Sequence, residues 1–330
     1  MTSMNRRTLL AGVAATGALA ATTTIAAEDI LPIPTDLSGK SMLITGCSTG
    51  FGRLAAEHFA RSGARVFATM RNMPRPESEE LIKLAGDDAL DLHVIEIDVL
   101  SDASVNAGVA KAMEINGGAI DVLINNAGIS FGGPVEIQDM EATQLTFDTN
   151  VFGPQRMLRA ALPAMRAAKT GLIINVSSQL GRVIAPSYGM YSPSKFALEA
   201  LSEGLAYELV PHGVDVTVIQ PGGYPTMIWK NANENSLTLL NRSDGTHTAG
   251  YPALVQRLGQ RTGGGSTDPM DVPRAMAEVI AMPAGTRPLR REVHPGTKPQ
   301  IAINEVSAKV QVGWLGESGF GPWVKAVHKV

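Results

Sequence analysis

Three glycines, at 46, 50 and 52, follow directly on the short apolar run 41–45 (SMLIT), and residues 53–61 then repeat at helical spacing. A strand that ends in such a cluster turns sharply into a helix, and glycine supplies the close backbone approach that the turn requires. The unpaired amides and dipole at that helix's N-terminus favour an anion. Gly46, Ser48, Thr49, Gly50, Phe51 and Gly52 are therefore candidates for cradling the pyrophosphate of a dinucleotide. A lone glycine cluster is weak evidence, but one placed straight after a strand is specific.

The rest of the chain alternates in the same manner. Further strands are predicted over 65–69, 92–99, 120–124, 172–176, 214–219 and 287–293. A long helix is expected over 138–168, interrupted near Pro154 and Pro163, and another carries Leu198, Leu201, Leu205 and Leu209 on one face. With 330 residues, 44% hydrophobic and 18% charged, one large α/β domain fits better than two small ones. A net charge of -3 and no long single-sign block exclude a basic field for nucleic acid or anionic lipid. The single cysteine, Cys47, excludes an internal disulfide and argues against a cysteine metal site, and no metal is expected.

Tyr191 and Lys195 lie four residues apart and so share a helix face. A free phenol has a pKa of about 10, and an ammonium beside it favours the phenolate, bringing it toward a range useful for proton transfer. Ser178 lies upstream at the end of an apolar run, and Asn150 sits in the middle of a helical segment, where asparagine is unfavourable. At the end of the second strand Met70 stands where an acid would bond the ribose hydroxyls of NAD, and Arg71 follows it. That pair points to NADP over NAD.

Together these residues resemble the short-chain dehydrogenase/reductase family. The motifs are the TGxxxGxG pattern at 45–52, the Asn125-Asn126-Ala127-Gly128 turn, the set Asn150, Ser178, Tyr191 and Lys195, and Pro221-Gly222. They occur in the family's order over roughly residues 38–290, and the pattern is closest to steroid- and retinol-type members. The resemblance implies a Rossmann-like, doubly wound α/β fold: a mostly parallel seven-stranded sheet with helices on both faces. It implies an NADP-dependent oxidoreductase acting on a small-molecule carbonyl or secondary alcohol. Tyr191 would exchange the proton, Ser178 polarise the carbonyl, Lys195 tune the phenol and hold the ribose, and Asn150 hold a water that links the lysine to solvent. It assigns Asp98 and Val99 to the adenine, Asn126 to the ribose, and Pro221, Gly222 and Thr226 to the nicotinamide end, and it implies a homodimer or homotetramer. A retained-cofactor isomerase of the same fold and a non-catalytic nucleotide sensor are the competing readings.

Outside that domain the ends carry their own signals. Arg6-Arg7, followed by an uncharged stretch to Ala27, has the form of a twin-arginine export signal, leaving a periplasmic protein with no membrane span once residues 1–27 are removed, or a cytoplasmic or membrane-anchored one where the segment is not cleaved. Residues 28–37 read as a linker and 38–295 as the single domain. The polar stretch 227–267 is expected to be an irregular substrate lid, and 296–330 a helical extension covering the site or a partner subunit.

Overall fold

The computed structural model describes residues 35–330; the export segment and most of the linker expected at 28–37 lie outside the described residues. The apolar runs form β1 (Ser41–Ile44), β2 (Arg65–Met70), β3 (Leu92–Glu96), β4 (Val122–Asn125), β5 (Gly171–Val176), β6 (Val214–Pro221) and β7 (Arg290–Val293). Between the first five run α1 (Gly50–Arg61), α2 (Pro76–Asp87), α3 (Asp102–Asn116), α4 (Met140–Phe147) and α5 (Gly153–Ala168). The later helices are α6 (Tyr191–Leu209), α7 (Met227–Arg242), α8 (Gly245–Ala249), α9 (Pro252–Val255), α10 (Asp271–Ala281), α11 (Gln300–Leu315) and α12 (Gly321–His328).

The strands make one seven-stranded sheet in the order β3-β2-β1-β4-β5-β6-β7, and every pairing is parallel. Alternation along β1 shows why both faces are covered. Met42 and Ile44 join a core with Phe59 of α1, Leu81 of α2 and Met276 of α10. Leu43 points the other way, into a core with Val105 of α3, Met157 of α5 and Leu209 of α6. A parallel sheet needs helices on both faces, which makes its strands near-continuous apolar runs. The strand order reverses between β1 and β4, so the crevice at their carboxyl ends is where such a sheet takes a ligand.

Two local expectations are corrected. The break in the long helix falls at Asp148–Phe152, a π-helical turn around Asn150, whereas Pro154 sits in the first turn of α5 and Pro163 is carried within that helix. Proline fits a first turn, where its missing N–H has no partner to lose. The stretch 227–267 is largely helical rather than irregular. Ala232, Ser236 and Leu239 recur at helical spacing and bury one face of α7, with Leu239 packed on Phe131, Ile137 and Leu258. The asparagines that made the segment look like a loop bond outward: Asn233 donates to the Arg261 carbonyl at 2.8 Å and Asn235 to the Ser130 carbonyl at 3.2 Å.

The chain's last two helices pack on the body of the domain. Asn304 of α11 donates to the Gln220 side chain at 2.8 Å, and His328 of α12 meets the Tyr207 hydroxyl at 2.8 Å. No residue of this extension lines the cavity at the carboxyl ends of the strands.

Candidate active site

A cavity of about 420 Å³ opens at the carboxyl ends of the strands. It runs from the glycine turn after β1 to Ser178, Tyr191 and Lys195, and all the cofactor-contact candidates, from Gly46, Ser48, Thr49, Gly50 and Phe51 to Arg71, Asp98, Val99, Asn126, Pro221, Gly222 and Thr226, line it except Gly52. Gly52 lies beneath. A Cβ there would sit 2.4 Å from the Gly46 carbonyl oxygen and 2.5 Å from Asn126 Nδ2, so only glycine lets α1 approach the turn. Gly46 takes φ +74°, a conformation that suits glycine. Asn126 fastens the turn by donating to the Thr45 and Gly46 carbonyls at 2.9 and 3.2 Å. Thr49 caps α1 without a side-chain bond to its amides, which leaves those donors for an anion. These features fit a dinucleotide.

At the end of β2, Met70 is buried and Arg71 is exposed on the cavity rim. The acid nearest in the sheet register, Glu96, pairs with Met70 across the strands and accepts from the Met73 amide at 3.1 Å. Arg75, which sequence reasoning missed, also lines the cavity. Its guanidinium is shared with Glu77 at 2.8 Å, whereas Arg71 has no acidic partner among the described residues.

The other end of the cavity gathers Ser178, Tyr191 and Lys195. Ser178 lies just past β5, and its Oγ accepts the Leu180 amide at 3.1 Å, which leaves the hydroxyl proton free to donate. Tyr191 opens α6, and one turn on, Lys195 Nζ donates to the Val176 carbonyl at 2.8 Å and stands 5.7 Å from the Tyr191 ring centre. Burial pushes the Tyr191 phenol up to about 12, with the facing Ser178 hydroxyl pulling the other way. Burial also draws the Lys195 ammonium down to about 8, and the Glu199 charge opposes that. The expectation that the lysine lowers the phenol is corrected here. The ammonium is engaged with a carbonyl and lies over the ring face, so desolvation dominates both groups.

Asn150 is 1% exposed and fully engaged. It accepts the Ile129 amide at 2.9 Å and donates to the Ile129 carbonyl at 2.9 Å and to Ser194 Oγ at 3.0 Å. It therefore clamps the turn after β4 to the residue preceding Lys195. Tyr224, which follows Gly223, turns into the core, edge-on to Phe51 with ring centres 5.6 Å apart. Sequence reasoning also missed Tyr188, Trp229 and Arg261 on the cavity wall. Only their position between motifs could have marked them, and no pattern of spacing did. Among the described residues no cluster of His, Cys, Asp or Glu could hold a metal, and no helix is long and apolar enough to cross a membrane. Cys47 is buried, and its thiol is pushed up to about 12 by that burial.

Comparison with known proteins agrees with this geometry. The family described as short chain dehydrogenase matches residues 40–237. Retinol dehydrogenase 8 of Bos taurus is 34% identical over 80% of this chain and 84% of its own length. The uncharacterized oxidoreductase YusZ of Bacillus subtilis is 35% identical over 72% of this chain and 82% of its own. The crystal structure of a short-chain dehydrogenase from Streptomyces avermitilis superposes with a TM-score of 0.65, at 28% identity over 84% of this chain and 96% of that one. The chain therefore belongs to the short-chain dehydrogenase/reductase family, oxidoreductases that act on CH–OH and C=O groups with a nicotinamide cofactor.

Proposed function

We propose that the protein is an NADP-dependent oxidoreductase that interconverts a ketone or aldehyde and its alcohol. The observation that carries the reading is the convergence of Ser178, Tyr191 and Lys195 in the same cavity as the glycine turn. When bound, the nicotinamide supplies the two-electron redox chemistry. The chain's own residues position the substrate and move the proton. Tyr191, held protonated by burial, is placed to donate to a carbonyl oxygen during reduction. Ser178, whose oxygen already accepts the Leu180 amide, donates its hydroxyl proton to that same oxygen and polarises the bond. Lys195 Nζ is the next proton store behind the phenol, fixed by the Val176 carbonyl. Asn150 holds the start of this helix in place through Ser194.

The cofactor preference rests on Arg71. It is an exposed guanidinium on the rim of the cavity beside a buried Met70, suited to a ribose phosphate rather than a ribose hydroxyl. The test is consumption of NADPH and of NADH by the purified protein across ketones, aldehydes and alcohols, the retinol relative making retinal one of them. Turnover with NADPH supports the reading, and no turnover with either cofactor on any of them sinks it.

Two further parts of the reading concern assembly and location. A groove lined by Leu162, Leu201, Gly204 and Leu205 of α5 and α6 supports pairing of two copies, which light scattering would read as a dimer or tetramer. The Arg6-Arg7 pair supports delivery to the periplasm. Cell fractionation of the Arg6→Lys, Arg7→Lys variant would test that by retention in the cytoplasm.

A further inference from the structure

Arg261 reaches the cavity from the segment after α9, on the side of Tyr188 rather than of the glycine turn. Its guanidinium carbon lies 4.4 Å from the centre of the Tyr188 ring, and one Nη donates to the Ser187 carbonyl. The placement is fixed from behind. Asn233 of α7 accepts the Arg261 amide at 3.0 Å and donates to its carbonyl at 2.8 Å. Gly132 packs closely against it, since a Cβ there would stand 2.9 Å from the guanidinium carbon. Tyr188 in turn adjoins the candidate proton donor, because the Tyr191 amide donates to its carbonyl at 3.0 Å.

The charge of this arginine is unanswered. Arg156, Arg287 and Arg290 each meet a carboxylate, but among the described residues Arg261 meets only a carbonyl and a ring. Among the described residues that line the cavity the one acid is Asp98, at the end of β3. The guanidinium is half-buried with no counter-charge among the described residues, and its partial burial lowers its proton affinity. Its planar fork matches a carboxylate in bidentate fashion. Tyr188 links it to Tyr191, and Trp229 adds a second aromatic ring to the lining of the same cavity.

We propose that Arg261 binds a carboxylate of the substrate, so that this enzyme acts on oxo-acids and hydroxy acids whose reacting carbon is separated from the acid by a short apolar chain. The inference rests on the reading of the cavity as a carbonyl-reducing site, and its test separates the two. The probes are levulinate and the next two longer straight-chain oxo-acids, each beside its methyl ester, with wild type, Arg261→Gln and Arg261→Lys.

In wild type the best acid exceeds its ester in kcat/KM by roughly ten- to a hundredfold, the range of a charge-assisted contact. Arg261→Gln brings the acid-to-ester ratio of kcat/KM to about one by lowering the acid far more than the ester, and Arg261→Lys keeps part of the excess. Acids and esters reduced equally by wild type, or both slowed equally by Arg261→Gln, would overturn the proposal. Calorimetric titration of the same acids decides the case without turnover. Binding by wild type that is lost in Arg261→Gln supports the anion site even if the redox reading fails, and no binding of any acid by wild type overturns it.

Discussion

Arg290 on β7 ties down the helix that carries Tyr191 and Lys195. Its Nε meets Glu199 at 2.9 Å and its Nη2 meets Glu203 at 2.5 Å, with the three side chains 6%, 1% and 9% exposed. Glu199 also accepts from Gln220 at 2.7 Å, and Glu203 from Tyr207 at 2.6 Å. Burial alone would raise the Glu203 carboxyl, but His328, Arg290 and Tyr207 outweigh it and hold the group down to about 2. Arg290→Met keeps the bulk and leaves two buried carboxylates without their cation. A carboxyl held at about 2 rather than 4.5 contributes roughly 3 kcal/mol. Breaking a buried ion pair from one side costs about 3–5 kcal/mol. Because His328 and Tyr207 remain, the lower end applies, and at about 2–4 °C per kcal/mol the midpoint should fall by roughly 10 °C.

Thermal unfolding followed by circular dichroism at pH 7, then at steps down to pH 3, reads both the size and the sign. The folded pKa lies below the unfolded value, so the contribution is full above about 4.5 and is lost as pH falls toward 2. The gap between wild type and Arg290→Met should therefore narrow across that window. Adding Glu199→Gln and Glu203→Gln to Arg290→Met should recover much of the loss, since a buried ion set replaced as a whole is often nearly neutral. A midpoint change under about 2 °C at pH 7, or a gap that widens in acid, would refute the reasoning.

Other outcomes follow from the cavity. Gly52→Ala should abolish dinucleotide binding in a titration of protein fluorescence while leaving the circular dichroism spectrum intact, because the new Cβ would meet the Gly46 carbonyl oxygen at 2.4 Å. Arg71→Ala should weaken NADPH binding by about tenfold or more, the worth of a charge-assisted phosphate contact, and leave NADH unchanged; equal loss for both would remove the phosphate role. The rate of carbonyl reduction should be flat below about pH 8 and fall above it as Lys195 loses its proton, while the phenol stays protonated to about 12. A rate that instead rises through pH 8 would contradict that assignment.

The motifs carried the architecture because each has a local physical cause. The glycine turn, the apolar strand runs and the Tyr191–Lys195 spacing all act within one or two turns of chain, so they are legible in sequence. Asn150 was legible as an oddity, an asparagine in mid-helix, but its π turn and its clamp on Ile129 and Ser194 were not. The shape of α7 was hidden because Asn233 and Asn235 satisfy partners far away in sequence, at Arg261 and Ser130. The protonation of Tyr191 was misjudged for a related reason. Sequence spacing brings a lysine near but cannot reveal that the lysine is buried and the phenol half-buried, or that the Val176 carbonyl engages the ammonium. Arg261 stands in a segment without any motif, and only its neighbours give it meaning.

The most direct test of the account compares wild type with Tyr191→Phe, following loss of reduced nicotinamide absorbance with the best carbonyl substrate and, separately, NADPH affinity. The phenol is the proposed proton donor and the ring is part of the wall. The variant should thus bind NADPH within twofold of wild type and lose about 10²- to 10⁴-fold in turnover. Turnover retained within tenfold would contradict the central claim that Tyr191 delivers the proton.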